Sequence, residues 1–159
     1  MDTLIRLIAD GAVIPVILIG IYALLYKIPA GHRYEAYCRI LMAGLTAYLL
    51  AKLMATLYQP TGLRPFELMG VAPGAAYLNN PGFPSDHALL VSAITFAVWF
   101  ETKSRILTTI LVVLVVLVCV GRVLALVHTP LDVAGGLLAA TVGAGWYVTG
   151  AVSKRRKST

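Results

Sequence analysis

The chain has 159 residues, of which 59% are hydrophobic and only 13% are charged. This composition is too apolar for a soluble domain of that size, and it indicates an integral membrane protein. The length is enough for one membrane domain, covering residues 1–159, and too short for two.

Five apolar runs follow one another along the chain, most of them close to the ~20 residues that cross a bilayer core as a helix. They are Leu4 to Tyr26, Tyr37 to Tyr58, Ala88 to Phe100, Ile106 to Val120 and Leu131 to Gly150. We therefore predict an all-α fold, a polytopic bundle of about five transmembrane helices. The third run is short, and we expect its helix to begin at Ser85 or Asp86, with one of these residues as the N-cap.

Basic residues concentrate in alternate connections and at the C-terminus. Those in the first and third connections are Lys27, Arg33, Arg39, Lys103 and Arg105, and a basic tail occupies residues 153–159. With five spans these regions share one side of the membrane, which the positive-inside rule makes cytoplasmic. The net charge of +6 is thus explained by topology, and we expect no nucleic-acid partner. The C-terminus is predicted inside the cell and the N-terminus outside.

The connection from Gln59 to Pro84 is much longer than the others. Its many prolines and glycines exclude a regular span, but residues 66–69 and 75–78 are apolar enough to lie along the membrane interface as a loop or short helix. Long connections in compact proteins are commonly lids or binding elements.

The first candidate for chemistry is Lys52 together with Arg64. A guanidinium held in place by Pro65 would match phosphate oxygens bidentately, and Lys52 would add a point charge. Taken alone, Lys52 is equally well a structural residue whose side chain extends to the outer surface.

The second candidate is the segment from Phe83 to Ala88, which leads directly into the third apolar run. Capping by Ser85 or Asp86 is compatible with phosphate binding, because a helix N-terminus presents free N–H groups and positive dipole to an anion. His87, in the first turn, is either an ordinary interfacial histidine or a proton donor to a leaving group.

The third candidate contains Arg122, His128 and Asp132, where polar residues border apolar helices and are costly unless functional. Pro130 suits the first position of the fifth helix and biases Thr129 away from helical geometry, so His128 should lie just before that helix. Asp132 would then hold one ring nitrogen of His128 and leave the other as a nucleophile. Separately, Arg122 is equally an interfacial anchor and Asp132 a favourable first-turn acid.

In order, type and spacing these motifs resemble the three signature motifs of the type-2 phosphatidic acid phosphatase superfamily. The residues that carry the resemblance are Lys52, Arg64-Pro65, Pro84-Ser85-Asp86-His87 and Gly121-Arg122 through His128 to Asp132. The Pro-Ser-Asp-His and Arg-Pro-Phe sequences are similar to the bacterial branch that dephosphorylates undecaprenyl pyrophosphate.

The resemblance implies a membrane lipid phosphatase or pyrophosphatase that needs neither a metal nor another cofactor. His128 would attack phosphorus and become a phosphohistidine, Asp132 would orient it, and His87 would protonate the leaving oxygen. The residues implied in phosphate binding are Lys52, Arg64, Ser85, Asp86 and Arg122.

The chain departs from the family pattern at three points. The spacing from Lys52 to Arg64 is several residues longer than usual, and Gly121 replaces a serine that often precedes the arginine. The family core typically has six spans, whereas five are predicted here, so one peripheral helix is absent or supplied by a partner.

The motifs fall on the side opposite the basic connections, so we expect the site at the extracytoplasmic face of the cytoplasmic membrane. Polyprenyl pyrophosphate, in particular undecaprenyl pyrophosphate, is the leading substrate. Phosphatidic acid, phosphatidylglycerophosphate, lipid A and a phosphorylated lipid-linked sugar are alternatives. A lipid-phosphate carrier would not require His128 and Asp132 at this spacing, and haloperoxidase chemistry belongs to soluble scaffolds. Homo-oligomerisation remains open.

Overall fold

A computed structural model describes residues 2–58, 63–78, 80 and 82–148. Within these residues the chain forms helices and turns, which confirms the all-α prediction. The elements are α1 (Asp2–Arg6), a π-helical turn (Leu7–Gly11), α2 (Val13–Tyr26), a 3₁₀ turn (Ala30–His32), α3 (Arg33–Leu57), α4 (Pro65–Leu68), α5 (Asp86–Thr102), α6 (Arg105–Leu124) and α7 (Pro130–Gly143). The basic tail 153–159 lies outside the described residues.

The helical segments correspond to the five apolar runs. Four of them are long and apolar enough to cross a membrane: Thr3–Tyr26, Ala30–Leu57, Arg105–Leu124 and Pro130–Val148. The remaining segment, α5, corresponds to the short third run and has 17 residues. It begins at Asp86 with Ser85 as its N-cap, as predicted. A short helix, α4, interrupts the long loop between α3 and α5.

One helix boundary and one helix type differ from the prediction in ways that matter for the site. α6 continues past Val120 to Leu124, because the sequence stays apolar around Arg122 and the last backbone bond runs from the Ala125 N–H to the Gly121 carbonyl. Arg122 therefore lies inside the last turns of a helix. The first run is also not a uniform α-helix, since Leu7–Gly11 is π-helical.

α5 is the central helix of the bundle and contacts α2, α3, α6 and α7. Apolar side chains fill the space between α2, α5 and α6; they are Val16, Ala23, Val91, Val98, Leu111 and Val118. α7 presents small buried residues instead, namely Gly135, Gly136, Ala139, Ala140 and Gly143. Small residues let helices approach closely in a membrane. Gly135 and Gly136 bring the starts of α5 and α7 together, and Gly143 packs on α3.

Candidate active site

The start of α7 places His128 beside Asp132. Thr129 is extended (φ −82°, ψ 161°) and Pro130 takes the first helical position. Asp132 Oδ2 accepts a 2.7 Å hydrogen bond from the Thr129 N–H, and Thr129 Oγ1 accepts one from the Asp132 N–H. The same Oδ2 lies 3.5 Å from His128 Nδ1. One carboxylate oxygen therefore serves the helix cap and the histidine together.

The contact between His128 and Asp132 is close but longer than a normal N–H···O hydrogen bond. Nδ1 of His128 is buried and makes no hydrogen bond within the described part of the chain. Both side chains are only 6% exposed, so the two groups face each other away from bulk water. Hydrogen bonds of catalytic groups are often long before substrate binds, so a separation of 3.5 Å is compatible with the orienting role predicted for Asp132.

Two glycines and one hydrogen bond hold the start of α5 against α7. The Ser85 N–H donates to the Asp132 carbonyl at 2.8 Å. A Cβ at Gly136 would lie 2.5 Å from the Ser85 carbonyl oxygen, and one at Gly135 would meet the ring of Phe83. Larger residues would separate the helices, so these glycines bring the second and third motifs together.

The turn between α6 and α7 holds the long loop through three consecutive carbonyls, those of residues 125–127. They accept hydrogen bonds from the Gly74 N–H, the Phe66 N–H and Nη1 of Arg64, in that order along the turn. The first motif is therefore fixed directly to the chain segment that leads into His128.

Arg64 is buried and its guanidinium is already well bonded. Besides Val127, it donates through Nη2 to the carbonyls of Leu78 and Asn80 and to Asn80 Oδ1. The ring of Tyr77 lies 5.2 Å from the guanidinium carbon. In this arrangement Arg64 supplies positive charge and holds the loop. Nη2 faces three acceptors, Nη1 uses one of its two N–H groups on the Val127 carbonyl, and a bidentate contact with phosphate stays a prediction.

Arg122 is 1% exposed, and its guanidinium donates from Nη1 to Asp10 Oδ1 at 2.7 Å. Its Nε is buried and has no hydrogen-bond partner among the described residues. A buried cation with an unused donor at the edge of a cavity is well suited to an anion.

Lys52 and the start of α5 lie at the rim. Lys52 Nζ is 4.0 Å from Asp86 Oδ1, and the two side chains are 48% and 45% exposed. Ser85 is fully buried, and its hydroxyl accepts a 3.4 Å hydrogen bond from the Ala88 N–H as the helix cap. Ser85 thus supports the site from behind, whereas Lys52 approaches it from solvent.

The motifs surround a cavity of about 30 Å³. Its lining residues are Arg64, Leu78, Asn80, Gly82, Pro84, Asp86, His87, Arg122 and His128. Two arginines, two histidines and a helix N-terminus converge there, an arrangement that suits a tetrahedral oxyanion. Among the described residues, no group of three or more His, Cys, Asp and Glu side chains could hold a metal ion.

The model of the PAP2 superfamily matches residues 33–156, which include all three motifs. The chain belongs to the PAP2 superfamily. The resemblance read from the motifs is therefore confirmed at the level of the superfamily.

A curated protein of similar sequence is the putative undecaprenyl-diphosphatase YbjG of Escherichia coli (strain K12), which is 44% identical over 65 residues. That region is 40% of this chain and 32% of the relative, so the match spans about a third of the relative's length. No solved structure matches the chain.

Three residues at this candidate site were not identified from the sequence. Asp10 pairs with Arg122, and Asn80 bonds Arg64. Gly82 packs on the centre of the site, because a Cβ there would lie 3.3 Å from Asp132 Oδ2 and 3.6 Å from His128 Nδ1. Asp10 could have been found from the sequence, because an acidic residue within an apolar run indicates a functional position. Asn80 and Gly82 resemble ordinary turn residues.

The protonation of His128 gives a testable pH dependence. Burial lowers the pKa of the His128 imidazole below 6.5; the Asp132 carboxylate acts against this, and the cations of Arg122 and Arg64 act with burial. His128 should therefore be neutral at neutral pH. NMR of histidine-labelled protein in detergent should give a His128 titration midpoint below 6.5.

The control is the direction in which each neighbouring charge shifts the titration midpoint of His128. Asp132→Asn removes a charge that favours the imidazolium, so it should lower the midpoint further, whereas Arg122→Gln should raise it. A wild-type midpoint at or above 6.5, or an upward shift in Asp132→Asn, would show that the environment of His128 is not the one described.

Gly121 has a structural reason for replacing the serine that is frequent in the family. A Cβ at this position would lie 2.9 Å from the Ala9 nitrogen and 3.0 Å from the Ala9 Cα. Gly121→Ser should therefore lower stability by about 1–3 kcal/mol through overpacking, measured by thermal unfolding in detergent. Gly44→Ser is the matched control, since nothing lies within 4 Å of a Cβ there. Equal unfolding temperatures for the two variants would contradict the close contact.

Proposed function

We propose that this protein is a membrane lipid phosphatase or pyrophosphatase that acts on a polyprenyl pyrophosphate, most favourably undecaprenyl pyrophosphate, through a phosphohistidine intermediate. The observation that carries the proposal is His128, backed by Asp132 and lining a cavity with two buried arginines and a second histidine. The positive charges of the two arginines match the negative charges on the oxygens of a transferring phosphoryl group.

The first half-reaction follows from the placement of the two histidines. Nδ1 of His128 faces Asp132, which leaves Nε2 as the nitrogen that attacks phosphorus. The P–O bond to the leaving group breaks as the P–N bond forms, and His87, whose protonated form is favoured by the negative charge of the bound phosphate, gives a proton to the departing oxygen. For a lipid pyrophosphate the leaving group is the lipid monophosphate. Arg122 and Arg64 stabilise the negative charge on the non-bridging oxygens.

The second half-reaction regenerates the site. Water attacks the phosphohistidine, and His87, now unprotonated, takes a proton from it as a general base. The P–N bond breaks, inorganic phosphate leaves and His128 returns to the neutral form. These steps require water and no other group from outside the chain. We therefore propose that the reaction is metal-independent.

The proposed face of the membrane rests on the charge distribution. The cavity with the motifs lies at one end of the bundle, and a second cavity at the opposite end is lined by basic residues including Lys27, Arg39 and Lys103. Under the positive-inside rule the motif end is extracytoplasmic, so the substrate phosphate would be presented by the outer leaflet of the cytoplasmic membrane.

The choice of lipid is supported by the similarity to a protein named as a putative undecaprenyl-diphosphatase. The loop around the cavity also suits a long apolar chain, since its exposed side chains include Leu63, Leu68, Met69 and Leu78. Exposed apolar residues beside a charged cavity allow a lipid tail to stay in the membrane while its phosphate enters the site.

The test is phosphate release by purified protein in detergent micelles containing one lipid at a time, with EDTA present throughout. Undecaprenyl pyrophosphate, undecaprenyl phosphate, phosphatidic acid and phosphatidylglycerophosphate form the panel. We expect the pyrophosphate to give the largest kcat/KM. A larger value for phosphatidic acid would overturn the substrate assignment within the class. Lipid binding without any release would instead favour a carrier.

A further inference from the structure

The first helical segment contributes a residue to the site although it lies outside the range that matches the superfamily, residues 33–156. Asp10 is in the π-helical turn Leu7–Gly11, at the motif end of the bundle. π-helical turns inside α-helices are frequent at functional sites, because they shift one residue out of the regular spacing.

Asp10 connects the π-helical turn to the end of α6 and to the long loop between α3 and α5. Its Oδ1 accepts from Arg122 Nη1 at 2.7 Å, and its Oδ2 accepts from the Ala76 N–H at 2.9 Å. The Asp10 side chain is 27% exposed, whereas Arg122 is 1% exposed. Both carboxylate oxygens are therefore fixed in position. The hydrogen bond from Arg122 to Asp10 consequently has a fixed direction.

The contact depends on an unusually close approach of two backbones. Gly121 faces the backbone of Ala9, where a Cβ would collide, so the π-helical turn lies directly on the end of α6. This close packing places Asp10 next to the arginine that follows Gly121.

A buried guanidinium needs a counter-charge, and breaking such a pair leaves an uncompensated charge. Only Nη1 of Arg122 donates to Asp10, and Nε is left without a partner in the described structure. Because the guanidinium is planar and rigid, one fixed bond orients the remaining donors as a set.

We propose that Asp10 is a positioning residue for Arg122. It holds the guanidinium by Nη1 so that the other donors face the phosphoryl oxygens of the substrate. This inference rests on the proposed function, since it assigns Arg122 to phosphate, and it adds a residue from the first helix to the site.

The experiment is a double-mutant cycle with wild type, Asp10→Ala, Arg122→Ala and the double variant. kcat/KM for phosphate release from undecaprenyl pyrophosphate is measured for each protein. In the presence of Arg122, loss of Asp10 should lower kcat/KM by about 10- to 100-fold, as for other supporting residues whose loss misplaces a binding group. In the Arg122→Ala background the same change should have less than about a twofold effect.

If Asp10 had only a structural role, its loss would lower kcat/KM equally with and without Arg122. That result would overturn the proposal, and so would full activity of Asp10→Ala. Glu35→Ala, an acid removed at the opposite end of the bundle, is the matched control and should keep wild-type kcat/KM. If Asp10→Ala does not fold, Asp10→Asn carries the same comparison, because its amide oxygen can still accept from the Ala76 N–H.

Vanadate binding, followed by calorimetry, separates this proposal from the proposed function. If wild type hydrolyses no lipid, the proposed function fails, but the orientation of Arg122 is still measured by its affinity for a tetrahedral oxyanion. Asp10→Ala should weaken vanadate binding about tenfold only when Arg122 is present. An affinity unchanged by Asp10→Ala in that background would refute the positioning role.

Discussion

Replacing His128 with alanine is expected to reduce phosphate release from lipid by about 10⁴- to 10⁶-fold, the range found when one member of a catalytic triad is removed. The reason is that His128 supplies the nitrogen that forms the bond to phosphorus, with Asp132 3.5 Å from its other nitrogen. The measurement is kcat for undecaprenyl pyrophosphate, together with vanadate affinity, which should fall far less because both arginines remain.

The control for this variant is His32→Ala, which removes an exposed histidine from the connection between α2 and α3 at the opposite end of the bundle. It should retain wild-type kcat. Rapid quenching of wild type with ³²P-labelled substrate should also trap protein-bound phosphate that survives alkali and is lost in acid. Comparable turnover in His128→Ala, or label of the same amount in that variant, would assign the nucleophile to another group.

The start of α7 could be predicted from the sequence because its determinants are local. Pro130 fixes the first helical position, Thr129 caps the helix, and the cap bonds reach only three residues along the chain. These short-range preferences place His128 before the helix and Asp132 in its first turn. The start of α5, capped by Ser85, follows from the same kind of signal.

The partners of the two arginines could not be predicted because they are distant in sequence. Asp10 and Arg122 are 112 residues apart, and Arg64 reaches the Val127 carbonyl across 63 residues. Such contacts depend on how the helices pack, here on the close approach of Gly121 to Ala9. The sequence pattern of charges identified the cations, but only the packing shows which of their donors are already engaged.

Asp132→Asn should lower kcat by about 10²- to 10³-fold while the protein still folds. One oxygen, Oδ2, contacts both the Thr129 N–H and His128 Nδ1, so an asparagine with its oxygen in that place keeps both contacts. What it loses is the negative charge beside an imidazole that becomes cationic as it bonds phosphorus. At this separation such a charge is worth roughly 3–4 kcal/mol in a partly polar environment, hence the size of the expected loss.

Thr129→Val is the matched control for Asp132→Asn, because it removes the other half of the same cap and leaves all charges unchanged. It deletes the acceptor for the Asp132 N–H and should lower stability by about 0.5–2 kcal/mol, with kcat close to that of wild type. The two variants separate the helix cap from the chemistry. If Thr129→Val loses as much kcat as Asp132→Asn, then Asp132 acts only through the fold of the α7 start, and its orienting role is wrong.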